Sequence, residues 1–111
     1  MAKFAAPERQ AASVMKQLQG DALRSVGTVR NYEQALTRVS EFLQNSRGGD
    51  LRSLTAEKAI SYLELRGQEV GQKSLDMERQ AIQCMMQNVT QKLAPTEKLP
   101  VVKSEQAQIL T

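Results

Sequence analysis

The sequence predicts an all-α fold, a small orthogonal bundle of four main helices with a short fifth helix starting at the C-terminus. Three observations carry this. Apolar residues recur at helical spacing in four separate stretches. Gly, Pro or small polar residues punctuate the chain between those stretches. No strand-like alternation of useful length occurs in the 111 residues, and there is no internal repeat.

The first helix is expected over about residues 7–19, in PERQAASVMKQLQG. Pro7 suits the first turn, where a missing amide hydrogen costs nothing, and Gly20 suits the stop. Ala11, Val14, Met15 and Leu18 form its buried side. The second helix spans residues 28–44, TVRNYEQALTRVSEFLQ. Val29, Tyr32, Leu36, Val39 and Leu43 follow one another at intervals of 3, 4, 3 and 4, a one-faced stripe that Ala35 and Phe42 widen. Thr28 reads as its N-cap, and the Gly pair of NSRGGD is free to end it with positive φ.

The third helix is expected over about Thr55–Arg66. Thr55 caps it, Glu57 suits the dipole in the first turn, and Gly67 stops it. Ala59, Ile60, Tyr62 and Leu63 supply its apolar face. The fourth is expected over about Ser74–Leu93, with Leu75, Ile82, Met85, Met86, Val89 and Leu93 inward. Asp76, Arg79, Gln80, Gln83 and Gln87 lie on its other faces. Pro95 and Pro100 then break the chain, so APTEKLPVVK reads as an extended linker, and Ser104 opens another helix that ends at once. The expected division is a helical domain over residues 1–94, then a linker and the start of a following domain over 95–111. The chain is therefore expected to be one domain of a longer protein.

Composition narrows the chemistry. Hydrophobic residues make up 41% and aromatics 4%, with no Trp, so aliphatic and Met side chains must build the core. There is no His, which removes the commonest general base and metal ligand. The single Cys84 allows no internal disulfide, and a lone thiol fits a reducing cytoplasm. The Met pair beside it, in CMMQ, reads as pliable core filler and not as a metal site. No cofactor or small-molecule substrate is expected. Glu57, Glu64, Asp76 and Glu78 show no recognisable partner, and Tyr32 and Tyr62 read as core residues whose hydroxyls reach the surface. MAKFAAPERQ turns polar at once and does not read as a secretory h-region, and no apolar run approaches the roughly 20 residues a membrane span needs. A net charge of +3 is compatible with nucleic acid.

Two polar sets stand out. Arg24, Thr28, Arg30 and Asn31 lie before and at the start of the second helix, where free amides favour anions and Arg or Asn can pair with base edges. Lys73, Ser74, Arg79, Gln80 and Gln83 lie at the entrance and along one side of the fourth; Arg79 and Gln83, four apart, share a face. The plainer reading of both sets is a helix cap with solvated charges.

TVRNYEQALTRVSEFLQ, LRSLTAEKAISYLELRG and GQKSLDMERQAIQCMMQ, taken in order, resemble the N-terminal core-binding, SAM-like domain of the tyrosine recombinases, the phage-integrase family. The matching features are Thr28, Tyr32 and Phe42 in the second helix, the pair Leu54–Thr55 opening the third, and a Gly- and Ser-containing turn before the fourth. LPVVKSEQAQIL resembles the linker and first catalytic-domain helix, so the resemblance runs over about residues 10–111. It implies a DNA-binding lobe that clamps a recombination site by laying two helices against the major groove and its phosphates. The catalytic lobe, with its Arg–Lys–His–Arg set and nucleophilic Tyr, is absent from these residues. The implied partners are double-stranded DNA and other recombinase protomers, in a bacterial or phage-encoded cytoplasmic protein. Asp76 and Glu78 depart from the basic pattern of the fourth helix and would repel phosphates. The alternative is a helical protein-interaction module that holds a partner helix between the second and fourth helices, with Met77, Met85 or Met86 forming an exposed patch.

Overall fold

The computed structural model describes residues 6–21, 26–46 and 49–105, and within these the side chains of all but 19–21 and 26–28. The four expected apolar stripes become four α-helices: α1 (Pro7–Asp21), α2 (Val26–Asn45), α3 (Ala56–Arg66) and α4 (Gln72–Asn88). A short 3₁₀ turn, Leu51–Ser53, lies between α2 and α3. No strand occurs among the described residues. The fold is all-α, as expected.

Helix α1 packs along α2, and α2 packs in turn on α4, with α3 against α4 and α2. Ala11, Val14, Met15 and Leu18 of α1 meet Ala35, Leu36, Val39 and Leu43 of α2 in one core, all at most 1% exposed. Leu75, Ile82, Met85 and Met86 of α4 close it. Val29, Tyr32, Phe42 and Val89 pack against its edge, half-buried. One buried amide ties the first three elements together. The Gln10 side-chain oxygen accepts from the Ser40 hydroxyl at 2.9 Å and from the Leu51 amide at 2.7 Å. The 3₁₀ turn is capped by Asp50, whose carboxylate accepts from Ser53 N–H at 3.0 Å, and Gly49 before it has φ +98°.

The ends of α3 match the sequence closely. The Thr55 hydroxyl accepts from Lys58 N–H, and Gly67 follows the last turn. Gly67 is needed there for space and not for its dihedrals, since its φ is −62°. A Cβ would meet the Leu63 carbonyl and a Leu75 methyl, each at 3.3 Å, and the Lys103 carbonyl at 3.5 Å.

Three helices have boundaries that differ from expectation. Helix α1 runs through Gly20 to Asp21. Helix α2 begins at Val26, so Thr28 stands inside its first turn and is not the N-cap. Thr28 stands directly before Val29, the first residue of the apolar stripe, which is why the sequence pointed to it as the cap. Helix α4 starts at Gln72 and stops at Asn88, five residues before Leu93. Gln91 takes positive φ, 56°, and turns the chain back, so that Leu93 is buried from outside the helix. The apolar period continued across this break because Leu93 packs on the same core. Of the expected fifth helix, only Ser104 and Glu105 lie within the described residues.

Candidate nucleic-acid interface

The relative direction of α2 and α4 places the two polar sets. Tyr32 of α2 lies close enough to Cys84 of α4 for an ionised thiol there to raise the tyrosine's ionisation, and Arg38 of α2 reaches Glu78 of α4 at 3.9 Å. Six residues forward along α2 correspond to six residues back along α4, so the helices run antiparallel. Arg30 and Asn31, both exposed, therefore sit toward the C-terminal end of α4. Lys73 and Ser74, also exposed, sit in the first turn of α4 at the other end. Lys73 and Cys84 are eleven residues apart, about 16 Å along the axis. Gln80, exposed, lies between these two ends on the same side of α4 as Lys73, since seven residues make nearly two turns.

Arg79 and Gln83 turn to a different flank. The Arg79 side chain is 15% exposed, and its Nε lies 3.9 Å from an Asp76 oxygen with no hydrogen-bond partner. The Gln83 oxygen accepts from the backbone N–H of Leu99 at 2.9 Å. Arg24 lies outside the described residues, as does the side chain of Thr28.

Glu78 is the largest departure from the sequence reading. It faces no phosphate, being 1% exposed at the junction of α2, α3 and α4. The Tyr62 hydroxyl donates to it, Arg66 Nε donates to both its oxygens at 3.1 and 3.2 Å, and Arg38 completes the cluster. Tyr62 is thus buried to its hydroxyl, which does not reach the surface, and its ring meets Phe42 edge-on at 5.5 Å. A signal for this existed. Leu75, Glu78, Ile82, Met85 and Val89 are spaced 3, 4, 3 and 4, so the period itself puts Glu78 on the core stripe.

The surroundings of Tyr62 push its ionisation far above the ordinary tyrosine range. Burial is the main cause, followed by the hydrogen bond to Glu78 and the negative charge of that carboxylate. The folded state therefore keeps the proton longer than the unfolded chain does. Stability from this group is complete below about pH 10 and is lost as pH rises beyond it, by about 1.4 kcal/mol per pH unit. Tyr62→Phe is expected to flatten that slope when melting is followed from pH 8 to pH 11; an unchanged slope would refute it. Burial likewise raises the thiol of Cys84, against a weaker lowering by the Asn88 amide, which makes it a poor nucleophile at neutral pH.

Met85 and Met86 are buried in the core and Met77 packs against it, so these residues form no exposed patch for a partner helix. Among the described residues no helix is long and apolar enough to cross a membrane.

The sequence matches the phage integrase, N-terminal SAM-like domain family over residues 15–91. The chain belongs to that family. The match takes in the second half of α1 and all of α2, α3 and α4 of this integrase-family domain, and stops at the turn around Gln91. Residues 92–105, which fold back over the helices, lie beyond it. No curated protein and no solved structure gave a significant match.

Proposed function

We propose that this integrase-family domain binds double-stranded DNA and holds a recombination site for a site-specific tyrosine recombinase. Strand cleavage and rejoining are assigned to a catalytic lobe outside these 111 residues. Membership of the integrase family is the observation that carries the reading. The placement of the polar residues supports it. Arg30 and Asn31 at one end of the α2–α4 pair, Lys73 and Ser74 at the other, and Gln80 between them are exposed and available to a polyanion. Their separation along α4 exceeds the major-groove width of about 12 Å, so the two ends can rest on phosphates either side of a groove. Arg24 and Thr28 extend the first cluster in this proposal. Arg79 and Gln83 flank the second, and they reach the duplex less readily because Asp76 and the Leu99 amide hold them. Asp76 alone remains to repel phosphate at the start of α4, since Glu78 is neutralised inside.

Most of the affinity in this reading is electrostatic, so binding weakens with salt. Other recombinase protomers on the same DNA are part of the proposal, and the lone domain binds weakly because a clamp needs both lobes. Fluorescence anisotropy of a mixed-sequence duplex, titrated at several salt concentrations, tests it. Lys73→Ala and Arg30→Ala are each expected to reduce the slope of log K against log salt by about 0.9. Absence of binding at low salt and high protein excess would sink direct DNA binding by this domain.

A further inference from the structure

APTEKLPVVK, residues 94–103, reads from composition as an extended linker, and in the fold this stretch and the two residues after it are held along their length. Pro95 and Thr96 form the middle of a turn closed by Glu97 N–H to the Ala94 carbonyl at 3.0 Å. The Glu97 carboxylate accepts from Ala94 N–H at 2.8 Å. Beyond the turn, three glutamines of α4 hold the backbone. Gln87 Nε2 donates to the carbonyls of Pro95 and Glu97. Gln83 accepts from Leu99 N–H at 2.9 Å. Gln72 makes two opposed bonds, accepting from Ser104 N–H at 2.8 Å and donating to the Val102 carbonyl at 2.9 Å.

Gln72, Gln83 and Gln87 are eleven and four residues apart, so they project from one flank of the helix. The segment also reaches the α3–α4 turn. Ser104 is fully buried, its hydroxyl set against the carbonyls of Val70 and Gly67. Glu105 N–H donates to the Gly67 carbonyl at 2.9 Å. Leu99, 3% exposed, anchors the middle. Gly67 leaves room for the Lys103 carbonyl, which a side chain there would crowd.

We propose that residues 94–105 are a fixed strap, clamped by the side-chain amides of Gln72, Gln83 and Gln87. The strap has two consequences. It pins the backbone of Glu105 beside Gly67, so the chain leaves the helices at a set position and not from a flexible tether. It also covers the Gln72–Gln83 flank of α4 and, at Gln87, borders the side that carries Lys73 and Gln80, so a partner reaching those two residues meets the strap at the edge of its approach.

Amide hydrogen exchange of the full 111-residue chain, read residue by residue by NMR, tests this without any ligand. Leu99, Ser104 and Glu105 are expected to exchange at least about a hundredfold more slowly than in an unstructured peptide. Gln72→Ala removes both opposed bonds and is expected to speed exchange at Ser104 and Glu105 by about tenfold or more. Ile82, in the middle of α4, should keep its wild-type rate. If Ile82 accelerates as well, Gln83→Ala serves as the second variant, read at Leu99 against Ile82. Peptide-like exchange at all three amides in the wild-type chain would overturn the strap. So would Gln72→Ala and Gln83→Ala variants that leave Ser104 and Leu99 as slow as before.

Discussion

Arg66→Met is expected to destabilise the domain by about 3–5 kcal/mol, the usual result of stranding one member of a buried ion pair. Glu78 is 1% exposed, and Arg66 supplies its two-point contact. Methionine keeps the apolar stem of the arginine but removes the charge and the Nε donor. Tyr62 can still donate one hydrogen bond, and Arg38, at 3.9 Å and 42% exposed, is too distant and too solvated to replace the lost charge. At about 4–8 °C per kcal/mol for a domain of this size, the melting temperature should fall by well over 10 °C. The double variant Arg66→Met, Glu78→Leu should lose less than the single one, because no carboxylate is left in the core. Urea denaturation of both measures the difference. A double variant that loses the sum of its two singles would show that the pair is not a coupled unit.

Leu36→Ala is expected to cost about 2–5 kcal/mol, through lost apolar burial and the cavity left behind. Leu36 is fully buried at the middle of α2, the helix that packs on α1, α3 and α4. A domain of this size holds only about 5–15 kcal/mol in total, so the variant should sit near its unfolding threshold at 37 °C. Calorimetry decides it. A loss below about 1 kcal/mol would mean that the site collapses around the smaller side chain, and that α2 is not the central packing element of the fold.

The helices were legible because each repeats a local pattern. The 3, 4, 3, 4 spacing of α2, the Thr55 cap and the Gly67 stop each depend on residues within a turn or two of one another. The candidate interface was legible only in part. Exposure of Arg30, Asn31, Lys73, Ser74 and Gln80 followed from the stripes, since residues off the apolar face point outward. Gln83 looked equally free, but its partner is the Leu99 amide, sixteen residues away. Glu78 looked like a solvated acid because charge outweighed period in reading it, although its place on the stripe was already visible.

Helix type, helix order, the aliphatic core and the want of His chemistry all belong to the sequence alone, because they follow from residue identity and short-range spacing. The antiparallel run of α2 on α4, the neutralisation of Glu78 by Tyr62, Arg66 and Arg38, and the docking of residues 94–105 do not. Each joins groups on different elements. A buried charge or amide finds its partner only once the apolar faces have met and removed the water that would otherwise have served.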